Sequence, residues 1–359
     1  MTQSTQLPET WSAAQMPSLP ALGPDVVDEF TRTIYGRTPD GGRLTELVLQ
    51  SREDGVLDGA ADRLRHRASV ACPLGNLEFE TLLHVPAGAA RPAPVIVVLN
   101  FRGNDETLDP DQAHRWPYQK VTQAGYAVLT ADYRQIEPDD PNPPTPGVRA
   151  LFPADTPGPA DTPGTADTSG PAGTSGPAGT LGAAETWGAV AAWAWGVSRL
   201  LDVAARTELV DPTNAIALGH SRLGKAALWA GVQDERFAVT VSNGSGCCGA
   251  ALFRHPGGED IEAITTRFPH WFVPSFAQYA GKEDELPVDQ HQLLASLAPR
   301  RAYVTSAEDD AWADPIGEYL AVEAARPAFA PNGIGYHVRP GDHDLLEEDW
   351  LKAIAFAKS

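Results

Sequence analysis

Hydrophobic and polar positions along the chain follow two periods, which predict strands separated by helices. Residues 77–84 (LEFETLLH) alternate and then become apolar, as in a strand. Residues 95–99 (VIVVL) are a β-branched run without charge, typical of a strand buried on both faces. Residues 125–130 (GYAVLT) repeat the pattern after a helix-length interval. The spacing predicts a mostly parallel sheet between helices, which is an α/β fold.

The second half of the chain continues this alternation. Residues 187–202 are rich in Ala and Trp and predict a buried helix, whose tryptophans we expect in the core instead of on a sugar-binding surface. Residues 215–218 (AIAL) predict a short strand, and residues 222–231 predict a helix. Further strands are predicted at 301–305 and 336–339, before a final helix.

Two segments fall outside this pattern. Five degenerate hexads (PADTPG, PADTPG, TADTSG, PAGTSG, PAGTLG) occupy about 153–182, and their Pro and Gly content predicts a disordered insertion without function. Residues 1–40 mix Pro, Gly and short polar pieces, which predicts an N-terminal arm. The remaining residues, 41–359, are predicted to form one α/β domain.

Composition excludes several classes of partner. The chain has 359 residues and a net charge of -20, which repels nucleic acid and anionic bilayers, so neither is expected as a partner. Among three cysteines, Cys247 and Cys248 are adjacent and poorly placed to pair, so no disulfide framework is expected. The first twenty residues lack the pattern of a signal peptide, and a cytoplasmic location is the expectation. The oligomeric state stays open.

Ser221 stands between a predicted strand and a predicted helix, in the segment GHSRLGK (219–225). A serine on such a turn is exposed above the sheet and can act as a nucleophile. The usual spacing is G-x-S-x-G, whereas here Leu223 occupies the second glycine position and Gly224 follows it. The alternative is that Ser221 only caps the helix. Arg222 and Lys225 oppose the helix dipole, and binding of an anionic substrate group would explain them.

A nucleophilic serine needs a base and a carboxylate that orients the base. In α/β folds whose nucleophile stands on such a strand-to-helix turn, the three residues follow along the chain in the order serine, acid, histidine. His343 lies in the polar loop 340–344 between the last predicted strand and the final helix, and is the predicted base. His337 lies within the strand and His291 begins a helix, so both are expected to be structural. For the acid, the loop 306–315 offers four carboxylates.

The sequence lacks the motifs that are typical of metal-dependent hydrolases and of nucleotide-binding proteins. The sequence contains no H-E-x-x-H, no C-x-x-C pair and no phosphate-binding G-x-x-x-x-G-K-[ST]. No metal or other cofactor is therefore expected.

The nucleophile segment resembles that of the glucuronoyl esterases, carbohydrate esterase family 15, whose motif is G-C-S-R-x-G-K-G/A. His220 stands where fungal members have cysteine, and the matching residues are Gly219, Ser221, Arg222, Gly224, Lys225 and Ala226. The stretches FPHWF (268–272), LPVDQH (286–291) and GYHVRPGDHD (335–344) also resemble bacterial members. The resemblance runs from roughly Asn100 to the C-terminus.

The resemblance implies an α/β-hydrolase fold, a three-layer sandwich around a mostly parallel sheet. It implies a serine carboxylic-ester hydrolase that cleaves esters of (4-O-methyl-)glucuronic acid, which in xylan are joined to lignin alcohols. In the family, the arginine matching Arg222 assists the oxyanion and the lysine matching Lys225 holds sugar hydroxyls. Trp312 matches a tryptophan that lines the sugar site, and Glu259 looks like an acidic residue that contacts the sugar.

The resemblance also bears on the acid of the triad. Many members carry a glutamate in an E-S-G context, where this chain has Gly244-Ser245-Gly246 and so no carboxylate. Asp310 matches the acid of the later G/S-A-E-x-D pattern and is the expected triad member, with Glu308 as the alternative.

The expected partner is a small-molecule or oligosaccharide uronate ester. The triad does not fix the acyl group, so an acetyl xylan esterase or another carbohydrate deacetylase is the first alternative. A non-catalytic sugar-binding relative is the second.

Overall fold

The computed structural model describes residues 7–8, 11–89, 92–153 and 187–359. Apart from residue 153, the hexad repeats predicted to be a disordered insertion at about 153–182 lie outside the described residues.

Within these ranges one sheet contains nine strands, which are β1 Arg43–Gly55, β2 Ala61–Cys72, β3 Gly75–Pro86, β4 Ala93–Asn100, β5 Ala127–Asp132, β6 Val210–His220, β7 Phe237–Asn243, β8 Arg301–Ala307 and β9 Ile334–Arg339. Their order in the sheet is β1-β2-β3-β5-β4-β6-β7-β8-β9. The first three neighbouring pairs, up to β3-β5, are antiparallel, and the five pairs from β5-β4 to β8-β9 are parallel.

Helices cover both faces of the sheet. The helices are α1 Val26–Phe30, α2 Val56–Gly59, α3 Tyr118–Gln123, α4 Tyr133–Ile136, α5 Ala189–Ala205, α6 Arg222–Gln233, α7 Ile261–Arg267, α8 Gln290–Ala295, α9 Pro315–Ala325 and α10 Glu347–Lys358. In the described residues none is long and apolar enough to cross a lipid bilayer.

Strand β4 shows why the sheet has helices on both sides. Val95, Val97 and Leu99 point into a core shared with α5 and α6, while Ile96 and Val98 point into a second core shared with α3 and α10. Successive side chains of a strand face opposite ways, so an uninterrupted apolar run needs two apolar layers. The result is the three-layer arrangement predicted from the sequence.

The predicted elements from residue 77 onward are found as β3, β4, β5, α5, β6, α6, β8, β9 and α10. The tryptophans of the Ala-rich segment are core residues, as predicted, with Trp187 and Trp193 almost fully buried. The long strands β1 and β2 were not predicted. Within the predicted N-terminal arm, Phe30, Ile34 and Tyr35 are fully buried in the main core. The division of the chain at residue 40 stays a prediction.

The strand order brings several loops to one edge of the sheet. Strands β6, β7, β8 and β9 are adjacent and parallel, so the loops after their carboxyl ends meet there. These loops contain Ser221, Gly244, Asp310 and His343.

Candidate active site

Ser221 forms the turn between β6 and α6. Its backbone angles are φ 56° and ψ -129°, a sparsely populated conformation for a residue with a side chain. Its N–H donates to the carbonyl of Asn243 at 2.9 Å, which ties the turn to the end of β7. The backbone strain holds the serine above the sheet at the amino end of a helix, as expected of a nucleophile.

Two glycines make this turn sterically possible. A Cβ at Gly219 would lie 2.0 Å from the carbonyl oxygen of Leu223. A Cβ at Gly224 would lie 3.0 Å from the side chain of Ser245. Leu223 itself is 1% exposed and packs in the core. The second close approach therefore occurs one residue later than in G-x-S-x-G, which explains the shifted glycine.

The side chains of His343 and Asp310 are in contact. Nδ1 of His343 lies 2.5 Å from Oδ2 of Asp310, and the other oxygen of Asp310 accepts the N–H of Ala313 at 3.2 Å. Asp310 is 5% exposed, whereas Glu308 is exposed on the neighbouring turn. Of the two carboxylates that the sequence left open, Asp310 is the one hydrogen-bonded to the histidine.

A buried arginine holds the loop that carries His343. The guanidinium of Arg339 donates to the carbonyls of Pro340, Asp342 and Asp344 and pairs with Asp349 at 3.0 Å. Sequence reasoning missed this residue. It could have been recognised as a charged side chain at an inward-facing position of a predicted strand, because such a charge is buried only when it is paired.

Gly244 lies against the same pair. Its φ is +50°, and a Cβ there would be 3.3 Å from Oδ2 of Asp310 and 3.4 Å from Nδ1 of His343. Many relatives are expected to carry the acid at this position. In this chain the side chains of His343 and Asp310 instead lie in close contact with the glycine.

A second imidazole lies beside the first. The ring centroids of His220 and His343 are 4.6 Å apart, with an angle of 37° between the planes. Nδ1 of His220 donates to Oδ1 of Asn243 at 2.6 Å, since the amide of Asn243 is turned to donate to Thr305 at 2.7 Å. Burial, with the nearby His343, lowers the pKa of His220 to about 3. His220 is therefore neutral beside the predicted base.

Arg222 has an internal partner. Its guanidinium pairs with Asp139, and its Cζ lies 4.9 Å from the ring centroid of Trp271. Asp139 also accepts hydrogen bonds from His270 at 2.9 Å and Trp271 at 2.7 Å. Burial opposes the ionisation of Asp139, but these donors and Arg222 outweigh it and lower its pKa to about 2. Sequence analysis did not identify Asp139, which lies 83 residues before its partner.

Lys225 is buried beneath the loop after β7. Its Nζ donates to the carbonyls of Ser245 at 2.6 Å and Cys247 at 2.5 Å, and lies 3.9 Å from Oε2 of Glu259. Burial raises the pKa of Glu259. Both cations of the first helical turn thus have carboxylate partners within the protein, and an anionic substrate group is not needed to explain them.

Glu318 anchors the same loop from below. One carboxylate oxygen accepts the N–H groups of Ser245 at 2.7 Å and Gly246 at 3.0 Å, while the other accepts the hydroxyl of Ser306. Glu318 is fully buried, and this burial raises its pKa to about 7. Sequence analysis missed this carboxylate because Ser245 and Gly246, whose N–H groups it accepts, lie 73 and 72 residues earlier in the chain.

We call the space that these groups surround the catalytic cavity. Its volume is about 230 Å³, and it is lined by Ser221, Arg222, Lys225, Gly244, Ser245, Gly246, Glu259, Arg267, Phe268, Trp271, Trp312, Ala313 and His343. Trp312 is 53% exposed at its mouth, and its carbonyl accepts the N–H of Glu259 at 2.9 Å. His291 and His337 do not line it. The described residues hold no cluster of side chains suited to a metal ion.

Comparisons with known proteins give a consistent result. A family model for fungal glucuronyl esterases matches residues 180–333. The chain is 35% identical to carbohydrate esterase MZ0003 of an unknown prokaryotic organism, across 93% of this chain and 83% of that protein. A solved glucuronoyl esterase from Solibacter usitatus has a TM-score of 0.78 and 33% identity, covering 97% of this chain and 99% of that one. The likeness confirms the predicted α/β-hydrolase fold.

A fungal relative is similar over a shorter part of the chain. A 4-O-methyl-glucuronoyl methylesterase of Podospora anserina is 36% identical over 150 residues, which is 39% of this chain and 31% of that enzyme.

Proposed function

The chain belongs to the glucuronoyl esterases, the carboxylic ester hydrolases of carbohydrate esterase family 15, and on this premise we propose that it hydrolyses esters of glucuronic acid at Ser221. The observation that carries the proposal is that one cavity is lined by the strained Ser221, by His343, by the buried Lys225 and by the half-buried Glu259. The nucleophile and the base therefore line the same cavity as polar side chains that can form hydrogen bonds with a sugar.

The reaction would proceed through an acyl-enzyme. Oγ of Ser221 attacks the ester carbonyl carbon while its proton passes to Nε2 of His343, and Asp310 holds Nδ1 and stabilises the resulting imidazolium. The departing alcohol takes that proton as the C–O bond breaks. Water then attacks the acyl carbon and gives one proton to His343, which returns it to Ser221 as the uronic acid is released.

Negative charge develops on the carbonyl oxygen in the tetrahedral intermediate, and hydrogen-bond donors are needed to stabilise it. The backbone N–H that follows the nucleophile is that of Arg222, at the amino end of α6. Its guanidinium, held by Asp139, lines the same cavity and adds a positive charge there. We assign both groups of Arg222 to the oxyanion.

The sugar ring would lie between Ser221 and the far wall of the cavity. A volume of about 230 Å³ accommodates one hexose ring, and Lys225 and Glu259 offer a donor and acceptors to its hydroxyls. Trp312 at the mouth offers an aromatic face. We assign these three side chains to substrate binding.

Two substitutions test the catalytic assignment. Ser221→Ala should lower kcat on benzyl glucuronate by at least roughly 10³-fold, because it removes the attacking oxygen. Asp310→Asn should lower kcat by a similar order, because the imidazole loses its charged partner. Glu308→Gln is the matched control, since Glu308 is exposed and outside the cavity, and should leave kcat within about twofold. Equal losses in the two acid variants would refute Asp310 as the triad acid.

The acyl specificity needs its own comparison. If the enzyme is a uronoyl esterase, kcat/KM on benzyl glucuronate should exceed that on an acetylated xylose, and Lys225→Met should reduce only the former. Hydrolysis of the acetyl ester alone would establish a deacetylase and refute the proposal.

A further inference from the structure

A cavity separate from the catalytic one is lined mainly by arginine side chains. Its volume is about 440 Å³, and its charged lining residues are Arg43, Arg199, Arg206, Arg236 and Asp202. We call this space the arginine groove. It shares no lining residue with the catalytic cavity. Arg236 directly precedes β7, so it lies at the opposite end of that strand from the catalytic loop.

The sign of charge in the arginine groove is opposite to that of the whole chain. The chain has 47 acidic residues against 27 basic ones. In the groove, four arginines surround one carboxylate. A concave surface lined by charges of one sign concentrates counter-ions from solution. The groove is therefore a place where this acidic protein can attract an anion.

Two of the four arginines are neutralised within the protein. Arg236 pairs with Asp202 at 2.7 Å and with Asp234 at 2.6 Å. Nε of Arg199 lies 3.0 Å from the other oxygen of Asp202, and its Nη1 donates to the carbonyl of Gly42. Two guanidinium groups and two carboxylates thus balance each other and form one fixed wall of the groove.

The charges of Arg43 and Arg206 are not balanced in this way. Within the described part of the chain, the guanidinium of Arg43 forms neither a hydrogen bond nor an ion pair. Arg206 donates one N–H to the carbonyl of Leu44, which carries no net charge. Both arginines are exposed to solvent. The groove therefore offers two positive charges whose remaining N–H groups are available to a ligand.

A phosphate dianion matches this excess of charge. The N–H groups of a guanidinium form a planar fork that binds two phosphate oxygens at once. A phosphate group carries a charge of about -2 at neutral pH, which equals the charge of the two arginines. A single carboxylate would leave one of the two guanidinium groups without a counter-charge. The number of free charges thus favours phosphate over a carboxylate.

An anion in the groove would also connect two parts of the fold. Arg43 is the first residue of β1, and Arg206 directly follows α5. Arg199 and Arg206 bind the carbonyls of Gly42 and Leu44, the two neighbours of Arg43 in the chain. Two like charges that line one groove repel each other, and an anion between them removes this repulsion. Binding should therefore stabilise the junction of β1 and α5.

We propose that the arginine groove is a binding site for phosphate, either as the free ion or as a phosphomonoester, held between Arg43 and Arg206. The proposal does not depend on the catalytic assignment, because the groove and the catalytic cavity share no lining residue. Its consequence is that phosphate stabilises the folded protein without entering the catalytic cavity.

Thermal unfolding at constant ionic strength tests the site. Replacing chloride by about 10 mM phosphate should raise the melting temperature of the wild type by at least about 2 °C, because only the folded protein assembles the groove. Arg43→Gln should abolish this increase and leave the melting temperature in chloride within about 1 °C. Arg102→Gln is the matched control, since Arg102 is exposed, pairs with Glu106 and lies outside the groove, and it should keep the increase. An equal increase in Arg43→Gln would overturn the proposal.

Calorimetry identifies the ligand. Inorganic phosphate should bind the wild type, and Arg43→Gln should weaken this binding at least about tenfold. Arg206→Gln should weaken it likewise, although its amide can still donate to the carbonyl of Leu44. Glucose 6-phosphate distinguishes the two sources: binding as tight as that of inorganic phosphate supports a phosphomonoester site, and weaker binding supports a site for the free ion. If glucuronate binds through Arg43 more tightly than phosphate does, the groove is a carboxylate site and the proposal is wrong.

Discussion

Replacement of Glu318 by glutamine should change how the stability of the protein depends on pH. The carboxyl has a pKa of about 7 in the folded protein, because of its burial, against 4.5 for the free side chain. Between these values the folded state holds a proton that the unfolded chain has lost. The free energy of unfolding of the wild type therefore falls as pH rises from about 4.5 to about 7.

The size of this fall follows from the two pKa values. A tenfold difference in proton affinity corresponds to about 1.4 kcal/mol, so the ionisation of Glu318 costs the fold about 3 kcal/mol by pH 8. Glutamine has nearly the same shape and does not ionise. Its carbonyl can accept the N–H groups of Ser245 and Gly246, and its amide can donate to Ser306.

Urea unfolding followed by tryptophan fluorescence at pH 4.5 and pH 8 measures the effect. Relative to wild type, Glu318→Gln should gain about 3 kcal/mol between these two pH values. Glu318→Leu is the control: it shares the loss of the pH-dependent contribution but is less stable throughout, because two buried N–H groups lose their acceptor. Parallel pH curves for wild type and Glu318→Gln would refute the reasoning.

Three further substitutions probe the positions of the catalytic groups, each by steady-state kinetics on benzyl glucuronate. His220→Leu removes the imidazole beside His343 and should lower kcat about tenfold with KM nearly unchanged; an altered KM alone would contradict a role beside the base. Asp139→Asn removes the charge that holds Arg222 and should lower kcat/KM about tenfold, whereas wild-type kinetics would mean that Arg222 needs no anchor. Gly244→Ala places a methyl group 3.4 Å from Nδ1 of His343, at a residue whose φ is +50°. It should lower kcat and also the melting temperature, which is measured by thermal unfolding. A variant with the activity and stability of the wild type would show that the loop accommodates the methyl group without strain.

The sequence predicted those features that depend on a short stretch of chain. The strand, turn and helix around Ser221 are contiguous, and chain order restricted the predicted base to a late histidine, His343, which lies in contact with Asp310. The first two strands were not predicted, because β1 is largely exposed and alternates weakly. Asp139 and Glu318 were missed for a different reason. Each acts on a residue from a distant part of the chain, and only the folded structure brings the partners together.

The two glycine positions of the nucleophile turn show the same limit. The pattern predicted a turn, but the reason for Gly224 lies in its approach to Ser245, which belongs to the loop after β7. A spacing that departs from the usual motif was explained by a contact that the local sequence does not contain.

The way in which Arg339 holds the loop of His343 has a consequence for how this loop can evolve. The guanidinium binds carbonyl oxygens of the loop and the side chain of Asp349, and none of the loop side chains. Main-chain oxygens are present whatever the residue, so the identity of residue 342 is free to drift while the path of the loop is kept. Selection can therefore alter the surface around the histidine, and with it the alcohols that are admitted, without moving the base.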